Sequence, residues 1–186
     1  MTGAPGFVTF QTRLRGNKEM LKRGLAMLLV TAASSALAKE PGQVRRLGPA
    51  ESPISASAEV PAGSRLVYVS GTVPDVVDAS AAAGNVQRYG DTATQTRSVL
   101  AKIEAQLRLH GMDLGDIVMM RVFLTAPPGA SRMDFAGMMS AYRERFGTAA
   151  QPNKPARSTM QVAGLVDPGW LVEIEATAAR PQGRKK

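Results

Sequence analysis

Arg157 and Glu173 are charged residues of types that can bind a carboxylate and transfer a proton. Arg157 lies in the run PARST at 155–159, and Glu173 lies in the run VEIEA at 172–176. The planar guanidinium of arginine matches a carboxylate through two charge-assisted hydrogen bonds, a geometry that lysine cannot reproduce. A glutamate can accept a proton and return it later, as in general acid–base catalysis. Residue types alone, however, favour a structural ion pair between these two side chains on adjacent strands.

The side chains that the sequence lacks exclude several other kinds of site. It has no cysteine, which excludes disulfides, thiolate catalysis and zinc–thiolate centres. His110 is the single histidine, so no metal site is expected. Its position in the last turn of a predicted helix favours a contact with the helix C-terminus over a catalytic role.

The charge distribution argues against a nucleic-acid partner, although the formal net charge is +8. A basic surface attracts phosphates whatever their sequence. Half of this net positive charge lies in residues 1–38, and the other half lies in Arg180 and the three basic residues of the tail at 181–186. Residues 39–179 are therefore about neutral, and we expect no nucleic-acid partner for them.

The N-terminal segment 1–38 has the layout of a secretory signal peptide. Basic residues precede an apolar stretch, and small residues close it at Ala36-Leu37-Ala38. The stretch is too short for the roughly 20 residues that span a bilayer, so stable membrane insertion is not expected. We expect cleavage after Ala38 and a periplasmic or secreted protein, and Met20 is an alternative start. Residues 39–52 are rich in proline and glycine without apolar periodicity, which predicts a flexible leader.

The first half of the domain is predicted to be two strands, a long loop and a helix. Residues 54–60 and 66–70 favour a β-hairpin, and Gly71 suggests a bulge or a close backbone approach. Residues 74–90 lack a clear period and predict a surface loop. A helix opens at Asp91 or Thr92, with Thr92 and Gln95 at capping-box spacing, and Gly111 ends it.

The second half is predicted to contain three strands and a second helix. The strands are residues 117–124, 159–163 and 171–178, and the last alternates between an apolar and a polar face. The helix carries an apolar stripe from Phe135 to Phe146 and stops at Gly147, with its methionines as core filler rather than a cofactor site. Two helices on one face of a mixed, mostly antiparallel sheet make an α+β domain at 53–180.

Five motifs in this order resemble the RidA (YjgF/YER057c/UK114) family, and they cover essentially the whole stretch from Pro53 to Arg180. They are LVYVSGTVP at 66–74, QTR at 95–97, GDIV at 115–118, PARSTMQVA at 155–163 and VEIEA at 172–176. The combination of the last two motifs at nearly the family's spacing is the most specific part of the resemblance.

The resemblance implies a chorismate-mutase-like fold, assembled as a homotrimer with ligand clefts between subunits. It implies a deaminase that hydrolyses reactive imines or enamines, such as 2-iminopropanoate, to 2-keto acids and ammonium without a cofactor. The family's roles fall on Arg157 as the carboxylate anchor and on Glu173 as the residue that positions the water. Thr159 would help to hold the ligand, and Ser70 and Gly71 would line the cleft.

Two positions depart from the family pattern. Ile54 stands where the family usually has a tyrosine, and Met139 stands where it frequently has an asparagine. Both changes make the cleft more apolar. They leave open an alternative function, a non-catalytic trimer that binds small carboxylates or a protein partner through the same arginine.

Overall fold

Two helices pack on one face of a four-stranded mixed sheet in the computed structural model, which describes residues 42–182. This arrangement confirms the predicted α+β class with both helices on one sheet face. In chain order the elements are β1 (Arg45–Leu47), β2 (Ser57–Glu59), β3 (Arg65–Thr72), α1 (Thr92–Leu109), β4 (Ile117–Leu124), α2 (Phe135–Arg143), β5 (Ala156–Gln161) and β6 (Val172–Arg180).

The sheet has the strand order β3-β6-β4-β5, so β6 and β4 are central and β3 and β5 are its edges. The β3–β6 and β6–β4 pairs are antiparallel, whereas β4 and β5 run parallel. Both central strands were predicted from their patterns. On β6 the side chains of Val172, Ile174, Ala176 and Ala178 are buried, and the polar residues between them face away from the helices.

The first helix is fixed at both ends by its sequence. The side chain of Asp91 accepts a hydrogen bond from the backbone N–H of Thr94, and Gly111 ends the helix with a φ of 67°. The predicted capping box of Thr92 and Gln95 is wrong. The Gln95 amide is fully buried instead, where it donates to the carbonyls of Gly90 and Gly169 and accepts from the N–H of Leu171.

The second helix ends at Arg143, four residues before the predicted stop at Gly147. The side chain of Asp134 caps its N-terminus by accepting from the N–H of Gly137. Most of the predicted stripe is buried, but Phe135 is 44% exposed because it lies in the first turn of the helix at the sheet edge.

Three sequence predictions about the strands are wrong. Residues 54–60 and 66–70 do not form a hairpin, because β2 pairs with β1 and β3 pairs with β6. Residues 39–52 are not wholly a flexible leader, since β1 lies within them and Arg46 donates to the carbonyls of Gly115 and Ile117. The strand β5 starts at Ala156 rather than at Thr159, which places Arg157 inside it.

The predicted signal peptide at 1–38 and most of the basic tail lie outside the described residues. Between residues 42 and 182 no helix is long and apolar enough to cross a membrane.

Candidate functional site

Arg157 lies on the edge strand β5 with its side chain on the helix side of the sheet. The register determines this orientation, because Arg157 pairs with Met120, a buried core residue of β4. The helix α2 lies over this position. The guanidinium donates to the thioether sulfur of Met139 at 3.1 Å, and its carbon lies 4.3 Å from the ring centroid of Tyr142.

Arg157 has no acidic partner among residues 42–182. None of the ion pairs there includes it, and its Nε is buried without a hydrogen-bond partner. Burial lowers the pKa of the guanidinium, but arginine keeps its proton in proteins. The site therefore holds a cation that is partly desolvated and has no carboxylate to neutralise it.

Thr159 lies two residues further along the same edge and faces the same side of the sheet as Arg157. It pairs with Val122 of β4, another core residue. Its hydroxyl oxygen is also buried without a hydrogen-bond partner. Because buried polar groups in proteins are nearly always paired, these two adjacent orphan groups indicate a place where a ligand or water binds.

Glu173 lies on the opposite face of the sheet, away from the helices. It pairs with Phe123 of β4, three residues from the partner of Arg157, and side chains three apart on a strand point to opposite faces. Its carboxylate lies against Gly71, where its Cδ is 3.0 Å from the position that a Cβ would occupy.

Ser70 and Gly71 form a β-bulge on β3. The register with β6 shifts between Val69 and Thr72, so the bulge predicted at Gly71 is confirmed, and the Glu173 side chain lies against this glycine. A cavity of about 410 Å³ opens beside this bulge, lined by residues 67–73 in and just after β3, by Lys102 and Gln106 of α1, and by His110 at the end of that helix. The predicted cleft residues Ser70 and Gly71 therefore do line a cavity.

The predicted site residues thus form two separate groups in the chain. Arg157 and Thr159 lie on the helix side of β5, whereas Glu173, Ser70 and Gly71 lie near the other edge of the sheet. The favoured structural ion pair between Arg157 and Glu173 is wrong, because β4 separates their strands and the side chains point to opposite faces.

Sequence reasoning missed the surroundings of the arginine. Met138, Met139 and Tyr142 were assigned to the core, and they are buried, but all three also contact the Arg157 guanidinium. Their spacing on α2 was the available signal, since residues one turn apart cover one patch of a neighbouring strand. No group of three or more histidine, aspartate or glutamate side chains within residues 42–182 is arranged to hold a metal ion.

The family model of endoribonuclease L-PSP matches residues 51–180. The chain belongs to this family, which includes the YjgF and RidA proteins. The predicted resemblance is therefore confirmed, and the match covers the sheet and both helices.

Several solved structures are similar to this chain. The Rid family protein YyfB of Yersinia pestis, described as a protein of unknown function, is 26% identical, with a TM-score of 0.55 over 73% of this chain and 97% of that one. An uncharacterised Pseudomonas aeruginosa protein is 30% identical, with coverages of 74% and 99% and a TM-score of 0.47. The YjgF gene product of E. coli is 26% identical, with coverages of 73% and 98% and a TM-score of 0.48.

Proposed function

We propose that this protein is a hydrolase that deaminates reactive 2-imino or enamino acids, such as 2-iminopropanoate, to 2-keto acids and ammonium. Arg157 anchors the substrate carboxylate, with Thr159 beside it, and Glu173 positions and activates the water. Ser70 and Gly71 form the wall of the cleft, and the reaction uses no cofactor.

The environment of Arg157 is the observation that carries this proposal. An arginine with a structural role would be expected to pair with a carboxylate of the same chain. Arg157 instead lies between a tyrosine ring and two thioethers, and the described residues offer it no anion. A bound carboxylate would supply the missing negative charge through two parallel hydrogen bonds.

The chemistry requires one residue to move a proton in each half of the reaction. The water oxygen bonds to C2 of the protonated imine while Glu173 accepts one water proton, and the C=N electrons move to nitrogen. Glu173 then returns the proton to the amine of this carbinolamine. The C–N bond breaks, the carbonyl forms, and the hydroxyl proton leaves with the ammonia as ammonium.

The separation of the two groups supports a site shared between copies of the chain. Arg157 and Glu173 lie on opposite faces and near different edges of one sheet, so a small acid cannot reach both within one protomer. We therefore place the cleft between subunits of a homotrimer, where the β5 edge of one protomer meets the bulge of its neighbour. Closed cyclic assembly brings the same two surfaces together at every boundary.

An amino-acid oxidase assay tests the activity directly. The oxidase produces imino acids in solution, and keto-acid release is followed with and without the purified protein. The Arg157→Ala variant is the control for non-specific protein effects. Faster release with the parent than with the variant supports the proposal, whereas equal rates with parent, variant and no protein contradict it.

A non-catalytic carboxylate-binding trimer is the second candidate. Ile54 packs against the core, and Met139 contacts the guanidinium, so neither supplies the polar group that relatives frequently have there. Calorimetric binding of 2-keto acids without imine hydrolysis would favour this function. The same trimer could use its exposed surfaces to hold a protein partner.

We further propose that the protein acts outside the cytoplasm, as a periplasmic or secreted protein. The proposal rests on the basic, apolar and small-residue layout of residues 1–38. N-terminal sequencing of protein from a native-type host should give a mature chain that begins at Lys39. A cytosolic protein that still begins at Met1 or Met20 would contradict export.

A further inference from the structure

The ring of Tyr142 forms the floor beneath the Arg157 guanidinium. The guanidinium carbon lies 4.3 Å from the ring centroid, well within the range of a cation–π interaction. Phe135 is farther away, at 6.0 Å. The Tyr142 side chain is 2% exposed, so water competes little for this contact.

Tyr142 is itself held in place from two sides. Its hydroxyl donates to the carbonyl oxygen of Pro53 at 3.1 Å, and its ring stacks on Phe146 with centroids 4.6 Å apart. A ring fixed in this way cannot follow the guanidinium if it moves. The orientation of the guanidinium is therefore determined by the ring rather than the reverse.

The thioether of Met139 also constrains the direction in which the Arg157 guanidinium points. It accepts from Nη2 of Arg157 at 3.1 Å, while Met138 lies at 4.0 Å from Nη1. Sulfur is a weak acceptor and carries no formal charge. Both kinds of contact orient the cation without neutralising it.

We propose that Tyr142 is a positioning residue for the anchor, which presents the Arg157 guanidinium to the substrate carboxylate with its charge intact, assisted by Met139. The inference rests on the proposed function, because it assigns a role in binding the acid. A glutamate or aspartate in place of the ring would hold the guanidinium equally firmly but would compete with the substrate for it. An aromatic floor avoids that competition.

Discrimination between an acid and its ester tests this role. Pyruvate and methyl pyruvate differ in the group that Arg157 would bind. The dissociation constant of methyl pyruvate divided by that of pyruvate therefore reports the anchor and not the general integrity of the cleft. Tyr142→Leu should reduce this ratio by about 2-fold to 30-fold, the range of cation–π energies at partly to fully desolvated sites. Tyr142→Phe keeps the ring and should keep the ratio.

Two controls separate positioning from packing. Tyr89→Leu also removes a buried, hydrogen-bonded tyrosine, but at a site without Arg157, and the ratio should not change. In the Arg157→Leu background, Tyr142→Leu should have no further effect on pyruvate binding, because the two residues act as one unit. Additive effects of the two substitutions would overturn the proposal.

A fluorinated series keeps the test valid if Tyr142→Leu does not fold. Phenylalanines with one, two and three ring fluorines at position 142 weaken the negative face of the ring without removing it. Pyruvate affinity should fall stepwise while methyl pyruvate affinity stays constant. A flat series contradicts the role of Tyr142 alone, whereas a parent protein that binds acid and ester equally contradicts the proposed anchor itself.

Discussion

The carboxylate of Glu173 lies against Gly71, in space that any side chain at position 71 would fill. The Cγ and Cδ atoms of Glu173 lie 3.3 Å and 3.0 Å from the position of a Cβ on residue 71, and its Oε1 atom is close enough to overlap with that Cβ. The β-bulge of β3 creates this opening beside the cavity. The glycine therefore determines where the carboxylate of the proposed general base can lie.

Gly71→Ala should displace the carboxylate and reduce imine turnover by about 100-fold, at the lower end of general acid–base contributions. The free energy of unfolding should change by less than about 0.5 kcal/mol, because Gly71 does not adopt a positive φ and the displaced group is the end of a flexible side chain. Turnover and urea unfolding measure the two effects. Gly164→Ala is the matched control, since nothing lies near its added methyl group. Unchanged turnover in Gly71→Ala would show that the bulge has no role in the reaction.

Glu173→Gln should reduce turnover by about 100-fold to 10,000-fold while the affinity for 2-keto acids changes little. The amide keeps the shape of the side chain but cannot accept the proton. Glu175→Gln serves as the comparison because it lies two residues along the same face and pairs with Arg121 at the exposed surface. Steady-state rates and calorimetry of both variants decide the matter. If Glu173→Gln turns over imines at the parent rate, Glu173 has a structural role and not a catalytic one.

The central strands of the fold could be predicted because their patterns are strong. The apolar run of β4 and the alternation of β6 match the structure closely, and Gly71 marked the bulge. The three-residue strands β1 and β2 are too short to show an alternation, so their pairing could not be read. The predicted hairpin is wrong because β3 pairs with β6, which is distant in the sequence. Turn residues indicate local pairing only and give no information about such long-range pairing.

The geometry of the candidate site could not be predicted from the sequence. Arg157 and Glu173 were identified from motifs, yet their opposite orientations depend on the parallel pairing of β5 with β4. The contact between Arg157 and Tyr142 likewise depends on where α2 crosses the strand edge. A buried tyrosine in an apolar stripe has the same sequence pattern whether or not it supports a cation.

Tyr68→Lys should convert the proposed trimer to monomers at micromolar concentration. The side chain of Tyr68 is 75% exposed on the sheet face away from the helices, and Leu66 on the same face is 43% exposed. Exposed apolar side chains on a sheet face are typical of an interaction surface, and a charge in place of Tyr68 should prevent burial of this face.

Light scattering of the Tyr68→Lys protein should report one protomer where the parent reports three. Val166→Lys is the control, because Val166 is 91% exposed in the loop between β5 and β6 rather than on a strand. Imine turnover should fall with assembly in the Tyr68→Lys protein, since the proposed site needs two protomers. A monomeric parent with full activity would contradict both the trimer and the shared cleft.

Arg157→Met should strongly weaken acid binding without destabilising the ligand-free protein. Removing a partly desolvated cation that has no ion pair relieves the cost of its burial, which offsets the lost contacts with Tyr142 and Met139. Arg180→Met is the contrasting variant, because Arg180 pairs with Asp116 and both side chains are largely buried. Its free energy of unfolding should fall by about 3 kcal/mol.

Calorimetric titration of 2-keto acids completes the test of the anchor. Truncation of one partner in a buried charged pair costs about 2–5 kcal/mol, so Arg157→Ala should weaken binding by roughly 30-fold to several thousand-fold. Arg157→Lys should recover only part of this affinity, because an ammonium restores the charge but not the two parallel hydrogen bonds. If folded Arg157→Ala protein binds keto acids as tightly as the parent, Arg157 is not the carboxylate anchor and the proposed site is wrong.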